Sequence, residues 1–193
     1  MNKFSNIEIF AKNKTELKEA SKDDHDGNIT YMTHSTLNVV GFDAVKSEYV
    51  KNLSVSETPK SVDALFLGDN GECVFIEFKN GYVDTKKEFD VRLKIFDSLL
   101  IFTDIVSEGV SYTRKNVTFI FVYNEGRNPL PDGVHAEMQV SSSREAIARY
   151  FIEGKAKKKY IRFNLERFEK LYFKDVFTLN QELFEERFVS MYE

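Results

Sequence analysis

Residues 61–81 read SVDALFLGDNGECVFIEFKNG, and this stretch decides the fold. In its first part, Val62, Ala64 and Phe66 fall on one side of an extended chain, and Asp63, Leu65 and Leu67 fall on the other. Its second part, residues 73–78, is apolar except for Glu77. Both patterns are typical of β-strands. Asp-Asn-Gly at 69–71 lies between them and supplies turn chemistry, because glycine adopts positive φ angles at no steric cost. The stretch therefore predicts a β-hairpin.

The length of the turn decides which side chains share one face of this hairpin. With a three-residue loop at 69–71, Asp63 lies opposite Glu77, and cross-strand neighbours have Cβ atoms about 5 Å apart. Lys79 then lies on the same face as Glu77, since side chains alternate along a strand. A two-residue turn would instead put the two acids on opposite faces. The functional interpretation depends on the longer loop.

Two carboxylates and a lysine on one face can perform phosphodiester chemistry. Paired carboxylates bind a hard divalent cation that keeps several of its waters. Such a cation lowers the pKa of a bound water and neutralises charge on a phosphoryl oxygen. A lysine two residues after the second acid can orient the attacking water or stabilise developing negative charge. Asp63, Glu77 and Lys79 are therefore the candidate catalytic residues.

At these residues the sequence resembles the PD-(D/E)xK nuclease superfamily. The resemblance is carried by SVDALFL, by the fourteen positions from Asp63 to Glu77, and by the E-x-K triplet in IEFKNG. Val62 stands where the superfamily motif has proline, a variation that the superfamily tolerates. The resemblance implies a restriction-endonuclease-like α-β-β-β-α-β core. It also implies an acidic pair that binds Mg²⁺, with Mn²⁺ as a substitute. The expected substrate is DNA, and RNA is the second choice.

The resemblance covers about residues 42–123 and suggests a third metal ligand. In that superfamily an acidic residue from the preceding helix often completes the site. Glu48 lies in the corresponding predicted helix, and Glu57 is nearer in sequence but less well placed. The expected metal ligands are therefore Asp63, Glu77 and Glu48.

The remaining patterns predict an α/β domain with a mixed central sheet flanked by helices. The predicted helices are 15–22, 42–53, 86–106 and 143–151, the third with Phe89, Leu93, Phe96 and Leu100 at helical spacing. Further strands are predicted at 117–123 and 160–165, and residues 166–191 are predicted to be largely helical. We expect one domain over 1–193, with an N-terminal arm at 1–41, a core at about 42–165 and a helical C-terminal extension.

Composition limits the function classes. The formal net charge of −4 counts modestly against tight, non-specific binding of duplex DNA. Cys73 is the single cysteine, so an intramolecular disulfide and a zinc knuckle are excluded. No apolar run has the length of a membrane span or of a signal-peptide core, so the expectation is a cytoplasmic protein without membrane contact.

Two other regions suggest contact with partners. The best local candidate for phosphate contact is the run Lys155, Lys157, Lys158 and Lys159. Tyr160 and Phe163 lie nearby in the sequence, and unpaired nucleic-acid bases can stack on aromatic side chains of this kind. A solvated loop explains the same lysines at least as well. The aromatic residues after Glu166 are explained first by core packing and second by a dimer or partner surface.

Each functional interpretation has an alternative. The acid–lysine set could be a solvated ion pair on an exposed hairpin face, although the same face would include apparently buried apolar residues such as Phe75. A carboxylate pair buried there without a cation would be costly. The whole protein could also be an inactive, nuclease-fold interaction protein. Bacterial defence, mobile-element and toxin–immunity systems are analogous settings for such domains.

Overall fold

A computed structural model of the chain describes residues 2–24, 27–134, 139 and 159–193. The strands are β1 (Lys14–Glu16), β2 (Lys22–Asp23), β3 (Thr30–Tyr31), β4 (Asn38–Gly41), β5 (Ala64–Leu67), β6 (Cys73–Lys79), β7 (Val117–Tyr123) and β8 (Asp175–Asn180). The helices are α1 (Glu8–Lys12), α2 (Leu17–Ala20), α3 (Phe42–Val50), α4 (Thr85–Ile105) and α5 (Val110–Asn116). A 3-10 turn lies at Glu166–Phe168. We use "C-terminal helical segment" for Gln181–Phe184, the π-helical turn Glu185–Val189, and Ser190–Tyr192.

The loop between β5 and β6 has the predicted three residues. The Gly68 N–H donates to the carbonyl oxygen of Glu72 at 2.9 Å, which closes the loop around residues 69–71. Gly71 has a φ of +90°, in the left-handed region that favours glycine. The turn chemistry of Asp-Asn-Gly therefore sets the loop length.

The register of the hairpin follows from that loop. β5 and β6 pair antiparallel with Ala64 opposite Ile76. One position before β5, the same register sets Asp63 opposite Glu77. The sequence prediction for the relative position of these two acids is confirmed.

Six of the described strands form one sheet in the order β1-β4-β5-β6-β7-β8. Neighbours from β1 to β6 pair antiparallel, whereas β7 pairs parallel with both β6 and β8. A parallel pair requires a long crossover, and α4 and α5 form the crossover between β6 and β7. The short strands β2 and β3 form a separate antiparallel arm. The predicted α/β class, with a mixed central sheet flanked by helices, is confirmed.

Both faces of the sheet are apolar and covered. Phe75 and Phe121 lie on one face and pack with residues of α1, α3 and α4. Ile76 and Val122 lie on the opposite face and pack with α2 and the C-terminal helical segment. Because side chains alternate, Glu77 lies on the same face as Phe75, beneath α4.

The prediction of a helical C-terminal region is confirmed for the C-terminal helical segment but is wrong for the residues just before it. Residues Asp175–Asn180 form β8, which extends the central sheet by pairing with β7. β-Branched Val176 and Thr178, with Phe177 between them, favour a strand. The spacing of apolar residues in this short stretch is compatible with either a helix or a strand. Backbone pairing with β7 stabilises the strand.

Two other predicted elements are also wrong. Residues 160–165 do not form a strand, since Phe163 and Asn164 have φ angles of 59° and 53° and form a turn that breaks the extended run. The predicted helix at 15–22 is replaced by β1 and the short α2. β1, β4 and β8 therefore widen the sheet beyond the predicted core at 42–165. The helix predicted at 143–151 lies outside the described residues.

The other two predicted helices are present. α3 ends at Val50, a few residues earlier than predicted, and α4 has nearly the predicted length. The N-cap of α4 is Asp84, whose side chain accepts a hydrogen bond from the Lys87 N–H at 2.8 Å. Thr85 is the first residue of the helix.

The hairpin loop can be tested through Gly71. Alanine at this φ of +90° is strained, so Gly71→Ala should lower the free energy of unfolding by about 1–2 kcal/mol. Urea denaturation measures the change. Asn70→Ala, at a neighbouring exposed position without a positive φ, is the matched control and should change stability by less than about 0.5 kcal/mol. Equal effects of the two variants would contradict the assigned loop.

Candidate functional site

The carboxyl groups of Asp63 and Glu77 come together at the end of β6. Asp63 is fixed by the backbone, since its Oδ2 accepts a hydrogen bond from the Phe78 N–H at 2.6 Å. Glu77 is buried, with 1% of its surface exposed. Its Oε2 is buried and has no hydrogen-bond partner among the described residues. The hairpin thus delivers two acids to one place and leaves one oxygen of the pair unsatisfied.

A lysine that the sequence analysis did not select connects the two acids. The Lys94 ammonium, on α4, donates to Glu77 Oε1 at 2.6 Å and lies 3.3 Å from Asp63 Oδ1. This cation partly offsets the cost of burying two carboxyl groups side by side. Lys94 is therefore a central member of the candidate site.

The sequence carried a signal for Lys94, but the predicted buried face of α4 was wrong. Phe89 and Leu100, at the ends of the predicted stripe, are 58% and 64% exposed. The buried positions of α4 follow a different stripe: Val91, Ile95, Ser98, Leu99, Ile101 and Phe102. Lys94 lies three residues after Val91 and four before Ser98, so it falls within that stripe. A lysine at helical spacing among buried residues indicates a buried acidic partner.

Electrostatic coupling among the three groups is strong. Burial, and next the nearby Asp63 carboxyl, raise the pKa of Glu77 to about 8. Burial also raises the pKa of Asp63, against the opposing effects of Lys94 and of the Phe78 N–H. Burial alone would lower the pKa of Lys94, but the two neighbouring carboxylates outweigh it and raise that pKa. Near neutral pH the two acids therefore hold fewer than two negative charges.

Lys79 lies at the C-terminal end of β6, on the same face as Glu77. It is half-buried and lines the same cleft as the two acids. Its positive charge acts to lower the pKa of Glu77, although burial outweighs this effect. The structure thus places the three predicted catalytic residues in one region and adds Lys94 to them.

An acidic residue of α3 does lie near the pair, but it is Asp43 rather than Glu48. Asp43 is in the first turn of α3, and its Oδ1 accepts a hydrogen bond from the Ser61 hydroxyl at 2.5 Å. Its negative charge contributes to raising the pKa of Asp63. Glu48 instead accepts a hydrogen bond from the Asn13 amide at 2.9 Å and does not line the cleft.

The site opens into a cleft of about 620 Å³ between the end of β6, the start of α4 and the arm formed by β2 and β3. Its charged lining comprises Lys22, Asp23, Asp63, Glu77, Lys79, Lys87, Lys94 and Arg127. Basic side chains outnumber acidic ones here, whereas the chain as a whole carries a net charge of −4. Positive charge is therefore gathered around the acidic pair, which favours an anionic ligand.

The described residues fit a magnesium ion in part. No group of three or more His, Cys, Asp and Glu side chains suited to a metal occurs in the described ranges. Magnesium in proteins, however, is usually bound through one or two carboxylates and keeps several waters. Asp63 and Glu77 meet that requirement, and the unsatisfied Oε2 of Glu77 offers a ligand atom.

The predicted basic run is described only at its end. Lys155, Lys157 and Lys158 lie outside the described residues. The Lys159 ammonium pairs with Glu169 and lies 4.0 Å from the centre of the Phe177 ring, with 10% of its side chain exposed. Lys159 does not line the cleft that holds the acidic pair.

The aromatic C-terminal residues pack within the chain. Phe184 lies edge-on to Phe78, with ring centres 5.5 Å apart, and Phe188 lies edge-on to Phe66 at 5.4 Å. Core packing, the first of the two explanations given by the sequence, accounts for these rings. A dimer or partner surface built on them receives no support.

Comparisons with known proteins leave the family of the chain open. Neither protein-family models, curated proteins nor solved structures gave a match. In the described part of the chain, no helix combines the length and apolar character needed to cross a bilayer.

The raised pKa of Glu77 predicts a specific pH dependence of stability. Between the ordinary value of 4.5 and about 8, the folded protein holds a proton that the unfolded chain has lost. Stability therefore falls as pH rises through this window, by at most about 1.4 kcal/mol per pH unit from this group. Glu77→Gln should remove this slope. Urea denaturation at a series of pH values in EDTA measures it, and equal slopes in both proteins would contradict the assignment.

The structural importance of Lys94 can be tested by removing its charge. Lys94→Met leaves two buried carboxyl groups without their cation, so the free energy of unfolding should fall by about 3 kcal/mol at pH 8. The loss should shrink toward pH 5 as the carboxyl groups protonate. Lys87→Met is the matched control on the same helix, since the Lys87 ammonium donates to the exposed Tyr82 carbonyl and not to a buried carboxyl group. We expect it to cost less than about 1 kcal/mol, and equal losses would show that Lys94 has no special role.

Proposed function

We propose that this protein is a magnesium-dependent nuclease that hydrolyses phosphodiester bonds in nucleic acid, DNA first and RNA second. The observation that carries the proposal is the pairing of Asp63 with Glu77 at the base of a cleft whose other charged residues are mainly basic. This reaction requires both acidic side chains that bind a hard cation and basic side chains that bind phosphate.

The order of elements supports the proposal. β4, β5 and β6 are neighbouring antiparallel strands, α4 follows, and β7 then pairs parallel with β6. With α1 ahead of them, and with β1–β3, α2, α3 and α5 set aside, the order of these elements is similar to the α-β-β-β-α-β core that the resemblance implies. Asp63 immediately precedes the middle strand and Glu77 lies near the end of the third.

In the proposed reaction each residue has a distinct role. Asp63 and Glu77 would hold Mg²⁺, which would activate a water and neutralise charge on the scissile phosphate. Lys79, at the mouth side of Glu77, can orient the attacking water or stabilise the negative charge that develops on the phosphate. Lys94, on α4, contacts the two carboxyl groups and holds them in position.

The distribution of charge explains how an acidic protein could bind a polyanion. Phosphate affinity depends on the cations that the ligand meets, and Lys22, Lys87 and Arg127 line the cleft beyond the acidic pair. The negative net charge is consistent with weak binding elsewhere on the surface. Selective attraction to the cleft follows from this arrangement.

The proposal predicts metal-dependent cleavage by the purified protein. Glu77→Gln and Lys79→Ala should each lower the rate of oligonucleotide cleavage in Mg²⁺ or Mn²⁺ by at least about 100-fold. The first change removes a proposed metal ligand, and the second removes the cation proposed to orient the water or stabilise charge on the phosphate. Gel electrophoresis of labelled DNA and RNA measures the rate. Glu48→Gln is the control and should leave it unchanged, since Glu48 lies outside the cleft. If cleavage persists in both site variants, the site is assigned wrongly.

A second candidate is an interaction protein of the same fold without turnover. The observation in its favour is that Lys94 already contacts both carboxyl groups and neutralises part of their charge. Isothermal titration of Mg²⁺ into the protein separates the candidates. Binding that is lost in Glu77→Gln favours the nuclease. Absence of binding, together with a stable stoichiometric protein partner, favours the second candidate.

A further inference from the structure

The acidic pair lies too deep for a phosphate on the surface of a duplex. Glu77 is 1% exposed, and the Asp63 side chain is 18% exposed. The cleft that reaches them, at about 620 Å³, has the size of a small-ligand pocket rather than of an open groove for a double helix. A phosphate can reach these carboxyl groups only on a chain thin enough to enter the cleft.

The wall opposite α4 is fixed in place. It is formed by the arm of β2 and β3, and the Asn80 side chain at the end of β6 donates to Asp23 Oδ2 at 3.0 Å and to Thr30 Oγ1 at 3.3 Å. Asn124, directly after β7, donates to Asn80 Oδ1 at 2.8 Å. These contacts join the arm to the central sheet and limit the width of the cleft.

An exposed aromatic ring lies at the rim of this cleft. Tyr82 is 62% exposed, although its backbone is held on both sides. The Lys87 ammonium donates to the Tyr82 carbonyl at 2.9 Å, and the Asn128 side chain accepts from the Val83 N–H at 2.8 Å and donates to the Gly81 carbonyl at 3.1 Å. A ring presented to solvent on a fixed backbone is a suitable surface for stacking an unpaired base.

The rim places the ring next to positive charge. The Lys87 ammonium contacts the Tyr82 carbonyl. Lys79, the last residue of β6, lines the same cleft and falls between Glu77 and Tyr82 in the chain. Proteins that bind single-stranded nucleic acid combine cations along the backbone of the strand with aromatic rings that stack on its bases. A duplex offers no free base to such a ring.

We propose that the cleft binds an unpaired nucleic-acid strand, with one base stacked on Tyr82 and the adjoining phosphates on Lys87 and Lys79. The inference rests on the proposed function, for which it names the substrate class: single strands and frayed or unpaired ends rather than intact duplex.

Fluorescence anisotropy of labelled oligonucleotides of about twelve nucleotides tests this inference without turnover, in EDTA and at one low salt concentration. The single strand should bind at least about tenfold more tightly than the same strand annealed to its complement. Tyr82→Ala should weaken single-strand binding about tenfold, whereas Tyr82→Phe, which keeps the ring, should bind like the wild type. Phe89→Ala removes an equally exposed ring that does not line the cleft and should have no effect. Circular dichroism confirms that the variants are folded.

The outcomes separate this inference from the proposed function. Equal or tighter binding of the duplex, or unchanged binding by Tyr82→Ala, overturns the inference. Absence of binding by the wild type overturns it as well. If single strands bind in a Tyr82-dependent manner but no metal-dependent cleavage occurs, the inference stands and the nuclease function fails. If duplex is cut in a Glu77-dependent manner and Tyr82→Ala cuts it at the wild-type rate, the nuclease function stands and the single-strand inference fails.

Discussion

Burial of the Asp63 and Glu77 carboxyl groups side by side is the constraint on which the site depends. Two acids in a poorly solvated place repel each other and lose hydration, and both effects raise their pKa values. The Lys94 ammonium reduces this cost by contacting both groups. The position of α4 over the sheet is therefore tied to the chemistry of the hairpin, since α4 carries the cation that the hairpin needs.

The same constraint makes the short loop at residues 69–71 important far from its own position. A change of one residue in the loop would turn one strand over and move one acid to the opposite face of the sheet. That face is apolar and covered by the C-terminal helical segment, so a carboxyl group moved there would lose its contact with Lys94. The conformation of Gly71 thus affects a site at the other end of the hairpin.

The hairpin, its register, α3, α4 and β7 could be predicted because each depends on local patterns. Turn chemistry fixed the loop, and apolar periodicity marked the strands and helices. β8 could not be predicted in this way, since the local pattern of Asp175–Asn180 fits both a helix and a strand, and the choice depends on pairing with β7, more than fifty residues earlier. Lys94 was missed for a related reason. The aromatic residues Phe89 and Phe96 suggested one buried face of α4, but Phe89 is exposed in the structure and the buried face is a different one. Asp43 lies nearer the pair than Glu48 because α3 approaches the hairpin with its first turn.

The packing of Phe66 against Phe188 and Tyr192, with ring centres 5.4 Å and 4.6 Å apart, bears on how the protein is made. A ribosome releases the β5–β6 hairpin long before it has synthesised residue 192. Until then one face of the hairpin lacks its cover, and unprotected apolar surface of this kind promotes aggregation. Completion of the sheet is thus a late event in biosynthesis. A nascent chain that already contains both acids and Lys94 still lacks the cover of the opposite face of the hairpin.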